Sequence, residues 1–382
     1  MLLFYQLLVL GVLIVLWAIL ISNLIELRPL PQVMEGREGA GPMVSVLVPA
    51  RNEEDTIARC IASLERQQYP EFEILILDDG STDRTAEILR RLEKEGGGRV
   101  RIFSGKPLPQ GWHGKSWACF QLAGEARGDM FLFTDADTAH GPDSIARSVR
   151  GIEESGADML SLTPFQELGS FWEKVVVPMV YVILVSLLPI RLVKSSRQPS
   201  FCFANGQFIL FRREFYSRMG GHEAVRRDLV EDVWLCMKAK SLGGRVAAYN
   251  GTDVVSCRMY RNFREVWAGF SKNLFAGLSY SIPGLVVMIV FTLMLFVVPW
   301  IVMFSSMAAG SFGLVEFQLP LLQIALVLLC RVLIAFRFRQ SAVFALLDPL
   351  ARLVLVAIAL NSFRLMAWSG GAVWKGRQYK FS

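Results

Sequence analysis

The sequence predicts an α/β chain: a mostly parallel sheet covered by helices, with one membrane-spanning helix before it and two to three after it. Three observations predict this. Hydropathy comes first: 53% of the 382 residues are hydrophobic and the mean hydropathy is +0.40, above that of an ordinary soluble domain. Segregation is the second, because the acids concentrate between Arg28 and Lys272 while both ends are largely apolar. That division is the mark of a soluble domain joined to a membrane part. The third is alternation, from Val44 onward, of short β-prone runs with helical segments, the pattern of a parallel sheet with both faces covered.

The net charge of +6 implies no nucleic acid. Basic residues beside membrane segments, facing anionic head groups, account for it. The six cysteines (Cys60, Cys119, Cys202, Cys236, Cys257, Cys330) show no C-x-x-C spacing and read as reduced thiols. His113, His140 and His222 are too scattered to suggest zinc.

Residues 1–27 form the anchor. Met1 to Leu24 is almost unbroken Leu, Val and Ile, enough for a bilayer core that needs ~20 residues. It has no basic leader and no small-x-small cleavage site, so an uncleaved anchor is expected over a signal peptide. Residues 28–43 are a Pro/Gly-containing linker. Arg28 and Arg37 place the following domain on the cytoplasmic side of a multi-pass cell-membrane protein, although Glu26, Glu35 and Glu38 dilute the asymmetry.

Residues 44–278 are read as the cytoplasmic domain. Val44 to Val48 is a strand ended by Pro49, and Asn52-Glu-Glu-Asp55 caps a helix carrying Ile57, Ile61 and Leu64. Ile74 to Leu77 is a second strand, after which Thr82 or Asp83 caps a helix through Ile88 and Leu92. Val100 to Phe103 and Met130 to Thr134 are further strands, with a helix over Trp117–Ala126 between them. A helix follows over Ser144–Glu153, then a strand over Met159–Thr163. The apolar stretch 175–190 is short for a span and broken by Pro178 and Pro189, so it is expected to lie at the membrane surface. Phe201 to Phe211 continues the domain, and Leu229 to Leu235 opens a helix running to Leu242.

Residues 279–370 hold three apolar stretches: Pro283–Met307, Leu319–Phe336 and Val343–Trp368. The last contains Asp348-Pro349, Arg352, Asn361 and Arg364, which makes it the least suited to cross. A basic tail, 371–382, closes the chain. If all four apolar segments cross, that tail lies opposite the domain.

The chemistry gathers at the ends of the strands. Phe131-Leu132-Phe133-Thr134 runs into Asp135-Ala136-Asp137, and strand alternation would put both carboxylates on one face, at a sheet edge where ligands bind. Two such acids repel each other unless a cation lies between them or one takes up a proton. A hard divalent ion bridging to a diphosphate, Mg²⁺ or Mn²⁺, satisfies both. Alone, a D-x-D is most often a solvated turn.

Asp78-Asp79-Gly80-Ser81 closes the second strand and puts carboxylates within reach of a nucleoside, Asp79 first and Asp78 next. Pro49, Ala50, Asn52 and Glu53 lie on the first strand-to-helix loop and suit a base or ribose, although that loop alone is an ordinary capped turn. Lys115, following Gly111-Trp112-His113-Gly114, suits a phosphate or simply a surface loop. Glu231-Asp232 opens a helix, where acids commonly complement the dipole. Its functional reading makes Asp232 a general base for an acceptor hydroxyl.

Taken together, Asp79, Asp135-x-Asp137 and Glu231-Asp232 resemble the family 2 inverting, nucleotide-sugar-dependent glycosyltransferases of GT-A fold. The resemblance covers about Val44 to Phe275. It implies that Asp79 contacts the nucleoside, that Asp137 helped by Asp135 holds the metal, and that Asp232 with Glu231 forms the catalytic pair. Gly111 to Cys119 and Phe263 to Lys272 look like the membrane-bound carotenoid glucosyltransferases, the chlorobactene type especially.

Polysaccharide synthases of the family carry Q-x-x-R-W, whereas Arg264-x-x-Trp267 lacks the arginine before tryptophan. A single transfer is therefore expected, with Arg264 and Lys272 as diphosphate contacts. The expected reaction moves glucose from UDP-glucose to a hydroxyl of a lipid or isoprenoid acceptor such as a hydroxylated carotenoid. A ceramide, diacylglycerol, hopanoid or polyprenyl phosphate is the alternative acceptor. A nucleotide-sugar-sensing membrane transport protein is the alternative of another class.

Overall fold

The computed structural model describes residues 1–33, 41–95, 98–368 and 372–379. Part of the expected linker (34–40) and parts of the expected tail (371, 380–382) lie outside them. The chain divides into two compact units: Leu27–Glu167 with Ile190–Met259, and Met1–Glu26 with Leu168–Pro189 and Tyr260–Ser382.

The first unit is built on one eight-stranded sheet. In chain order the strands are β1 (Val44–Ala50), β2 (Phe72–Asp78), β3 (Val100–Ser104), β4 (Met130–Phe133), β5 (Thr138–His140), β6 (Met159–Gln166), β7 (Ile209–Arg212) and β8 (Val246–Cys257). They lie in the order β3-β2-β1-β4-β7-β6-β8-β5. β1 to β4 are parallel, β7 runs antiparallel to both β4 and β6, and β6 pairs parallel with β8. This mixed, mostly parallel sheet is the architecture the alternation predicts.

Burial explains the strands. Val44, Val46 and Val48 on β1, Ile74 and Ile76 on β2, and Leu132 on β4 are all fully buried and share one core with Ile57, Ile61 and Leu64 of the helix Ile57–Glu65.

Local chemistry shifts three boundaries. β1 runs through Pro49, which pairs with Leu77, to Ala50. β4 accompanies β1 only as far as Leu47, so the missing Pro49 N–H breaks no ladder bond. The first helix starts at Ile57 instead of being capped by Asn52, because Asn52 takes a left-handed backbone (φ 52°) and its side chain serves the next loop. β8 has no counterpart in the sequence reading. Asn250-Gly251-Thr252 resembles a turn, yet the strand passes through it, with a register shift between Pro164 and Phe165 of β6.

The second unit is helical. Four helices are long and apolar enough to cross a membrane: Leu2–Glu26, Ile282–Ala308, Leu314–Arg337 and Ala342–Ala367. The stretch 175–190 contributes two short helices to this unit, Phe171–Val176 and Met179–Leu187, broken at Pro178; the next helix, Ile190–Ser195, belongs to the sheet unit. Buried polar pairs bind the helices. Gln323 donates to the Gln6 side chain at 2.8 Å, and Asn23 donates to the Val185 carbonyl at 2.9 Å.

The helix Asp348–Trp368 begins at Asp348, ion-paired with Arg331 at 3.1 Å. Toward its end, Asn361 donates to Ser271 at 2.9 Å and Ser362 accepts the Phe275 N–H at 3.1 Å. It therefore finishes beside the helix Phe263–Gly277, just ahead of Ile282, where the first of the three C-terminal apolar helices begins.

Candidate active site

The site lies on loops at the C-terminal ends of β1, β2 and β4 and at the start of the helix Glu231–Ser241. The first two loops are laced together. Asn52 N–H donates to Ser81 Oγ at 3.0 Å, and Asn52 Oδ1 accepts the Thr82 N–H at 2.8 Å. Glu53 N–H donates to Thr85 Oγ1 at 2.7 Å. Asp83 accepts from Thr85 and Glu54, and these bonds outweigh burial and keep its carboxyl below the usual range.

Ala50 accepts the Asp79 N–H at 2.8 Å, which fixes a largely buried Asp79 at the sheet edge. Asp78 spends one oxygen on the Ser81 N–H at 3.0 Å, so its carboxylate closes the turn. Gly80 is left-handed (φ 67°), and Arg51 Nη1 donates to its carbonyl at 2.8 Å and also to the Asp79 carbonyl. The sequence reading assigned Arg51 no role; its position inside Pro49-Ala-Arg-Asn52 was the available signal.

Asp135 and Asp137 stand beyond the last residue of β4, on a turn in which Thr138 Oγ1 donates to the Asp135 carbonyl at 2.7 Å. Strand alternation therefore does not position them, because the strand ends at Phe133. Asp135 is ion-paired with Lys115 at 2.7 Å, and the same ammonium reaches Glu231 at 2.9 Å. Burial alone would lower the Lys115 pKa, but the two carboxylates outweigh it and hold the ammonium well above its ordinary value. Asp137 and Asp135 add to burial in holding the Cys257 thiol protonated.

Asp232 accepts the Gly206 N–H at 2.9 Å and its neighbour Val233 N–H at 2.8 Å. Burial first, then the charge of Glu231, pushes its carboxyl up to about 6, while Lys115 and the two hydrogen bonds pull the other way. A β-carbon on Gly206 would stand 2.8 Å from Lys115 Nζ and 3.5 Å from Asp232 Oδ2. Gly206 thus packs its backbone against the acid–lysine cluster, a role the sequence reading did not single out.

The structure brings Lys115, Asp135, Glu231, Asp232 and Gly206 together. Asp78, Asp79, Asn52 and Glu53 form the adjoining pair of loops. Pro49 lines the small hollow that holds Lys115, Asp135 and Glu231, and Ala50 ends β1 beside it. Arg264 and Lys272 lie on the helix Phe263–Gly277, in the helical unit.

Among the described residues no group of three or more His, Cys, Asp or Glu is arranged to hold a metal. The donors at the β4 turn are carboxylate oxygens, Asp135 and Asp137. They fit a Mg²⁺ or Mn²⁺ that takes one or two protein ligands and completes its shell with diphosphate and water.

A model of the family "Glycosyl transferase family 2" matches residues 45–220. Two curated relatives cover nearly the whole chain. The 4,4'-diaponeurosporenoate glycosyltransferase of Staphylococcus haemolyticus (strain JCSC1435) is 27% identical over 343 residues, 88% of each chain. That of Staphylococcus aureus (strain USA300) is 27% identical over 350 residues, 89% of this chain and 88% of its own. Among solved structures, a mannosyltransferase from Pyrobaculum calidifontis in complex with GDP-Man and Mn²⁺ covers 97% of this chain and 99% of its own, with a TM-score of 0.55 at 18% identity.

Proposed function

We propose that this chain, which belongs to glycosyl transferase family 2, is a membrane-bound inverting enzyme that moves one sugar from a nucleotide donor, UDP-glucose, to a carotenoid-type isoprenoid acid. The observation that carries the chemistry is Asp232, a carboxylate pushed up to about 6 beside the Lys115–Asp135–Glu231 cluster. A base whose pKa lies near the operating pH is the effective kind. The acceptor class follows the printed names of the relatives, which are similar over most of this chain.

In this reading Asp79 and the Asn52 loop receive the nucleoside. Asp137 and Asp135 would hold Mg²⁺ or Mn²⁺, which when bound neutralises charge on the leaving diphosphate. Asp232 takes the proton of the acceptor oxygen as that oxygen bonds to the anomeric carbon. The bond from that carbon to the diphosphate breaks, its electron pair leaves on the nucleotide, and the centre inverts. Away from a cation, desolvation raises a carboxyl pKa, so an isoprenoid acid that meets Asp232 in its protonated form needs a base as an alcohol does.

The raised Asp232 pKa equally favours a second reading, in which the acceptor is the hydroxyl of a hydroxylated carotenoid. In this reading the sheet domain faces the cytoplasm, which the basic residues after the first apolar segment, Arg28 and Arg37, support.

The test is Asp232→Asn in purified protein. Sugar transfer is expected to fall about 10²–10⁴-fold while UDP binding stays near wild type. Unchanged transfer would remove Asp232 from the chemistry. Binding of UDP without transfer by the wild type would favour a nucleotide-sugar sensor.

A further inference from the structure

The helical unit encloses a cavity of about 390 Å³, within the ~300–1,000 Å³ of small-molecule sites. Every residue lining it belongs to that unit. The walls are almost wholly apolar, with Trp17, Ile183, Leu274 and Phe291 among them. The charged residues in the lining are two arginines, Arg331 and Arg352.

Both are largely buried and share a single carboxylate, Asp348, at 3.1 and 3.3 Å. Asp348 has no exposed surface. Arg352 also stacks over the Phe296 ring, 3.7 Å from its centroid. Two guanidiniums on one carboxylate leave this cluster one positive charge in excess. Unpaired charge is costly in an apolar interior, and ionisable groups inside membrane segments mark ligand or ion sites. A bound anion restores the balance, and an apolar chain attached to it fills the rest of the cavity.

We infer that this cavity binds the acceptor as an isoprenoid acid, with its hydrocarbon along the apolar walls and its carboxylate against Arg331 and Arg352. The inference rests on the proposed acceptor class and extends it by giving that acceptor a site in the helical unit. No bond is made or broken there; the cavity contributes affinity and selects acids over uncharged isoprenoids. Arg is suited to the task because its planar fork meets a carboxylate with two hydrogen bonds.

The test uses the full chain in nanodiscs without any sugar donor, so its outcome is independent of whether transfer occurs. All-trans-retinoic acid and its methyl ester serve as probes, read through quenching of tryptophan fluorescence, to which Trp17 in the wall contributes. The acid is expected to bind about tenfold more tightly than the ester. In Arg352→Gln, Asp348 keeps Arg331 as its partner and the excess charge is gone, so the acid-over-ester preference should collapse to about one.

Gly277 faces the cavity, and a β-carbon there meets nothing within 4 Å. Gly277→Phe should therefore fill the space and weaken both probes about tenfold or more, without disturbing the arginines. Equal binding of acid and ester by the wild type would overturn the inference. So would a preference that survives Arg352→Gln, or displacement of the acid by equimolar phosphatidylglycerol, which would mark a phospholipid head-group site. Selective acid binding by a protein that transfers no sugar would leave this inference standing and remove the proposed function.

Discussion

Lys115 decides the electrostatics of the site. Its ammonium lies between Asp135 and Glu231 and also lowers the Asp232 pKa against burial and the Glu231 charge. The sign of a pH effect follows. A general base works only when ionised, so the rate should rise with pH up to about 6 and level off above it. Replacing Lys115 by methionine removes a cation near Asp232, which disfavours the ionised form and raises its pKa. The ascending limb of kcat/KM in Lys115→Met should therefore move to higher pH, on the order of one unit. A limb that stays put would show that Asp232 does not carry it.

At this scale the sequence was legible for acid types at strand ends and silent on their partners. Asp79 and Asp135 could be picked out because apolar runs stop at or near them, and Asp232 because it opens a helix. Nothing local says that Lys115 reaches Glu231, 116 positions later, or that Gly206 N–H binds Asp232. Those contacts are made by the fold.

Among elements, the Asn52 loop shows how one residue can serve where a helix cap was expected. Its left-handed backbone and its bonds to Ser81 and Thr82 join the loops after β1 and β2. Asn tolerates that conformation better than other residues with a β-carbon. Asn52→Ala should cost about 1–2 kcal/mol of stability in denaturant unfolding, from the lost hydrogen bond and the strain. It should also raise the donor KM. Asn52→Gly relieves the strain and loses only the side-chain bond, so it should cost less. Equal effects would mean that the backbone conformation is unimportant.

β1 to β4 were legible as strands because each is an apolar run bounded by turn residues, whereas their order in the sheet was not. β5, with three residues, and β8, with an internal Asn-Gly, were not, since tertiary pairing overrides their local preference. The last apolar helix carries a topological prediction. It ends beside Ser271 and Phe275, next to where the helix Ile282–Phe296 begins, and so returns the chain to that side. We propose three crossings instead of four, which removes the conflict over the tail. A cysteine at Lys375, in a background lacking native cysteines, should be labelled by impermeant maleimide from the side that labels the sheet domain. A cysteine at Ser311 should be labelled from the other. Labelling of both from one side would contradict three crossings.

The whole molecule joins two kinds of chemistry in one chain. The sheet unit concentrates carboxylates and a lysine, which the proposed function gives to a charged, water-soluble donor, whereas the helical unit has an apolar interior with two arginines, which the inference above gives to an acceptor that lives in lipid. Hydropathy shows the apolar segments, but not that Leu168–Pro189 and the residues from Tyr260 onward group with them. The cavity was not visible either, because its lining comes from segments as distant as Leu13 and Val356.

Transfer of label from UDP-glucose in membranes containing this chain tests the central claim most directly. A carotenoid acid, a carotenoid alcohol, a diacylglycerol and a ceramide would be offered in parallel, with and without EDTA. Labelling of the carotenoid acid above the others, abolished by EDTA and restored by Mg²⁺ or Mn²⁺, is the predicted result. Labelling confined to the glycerolipid or sphingolipid, or no transfer from any nucleotide sugar, would contradict it.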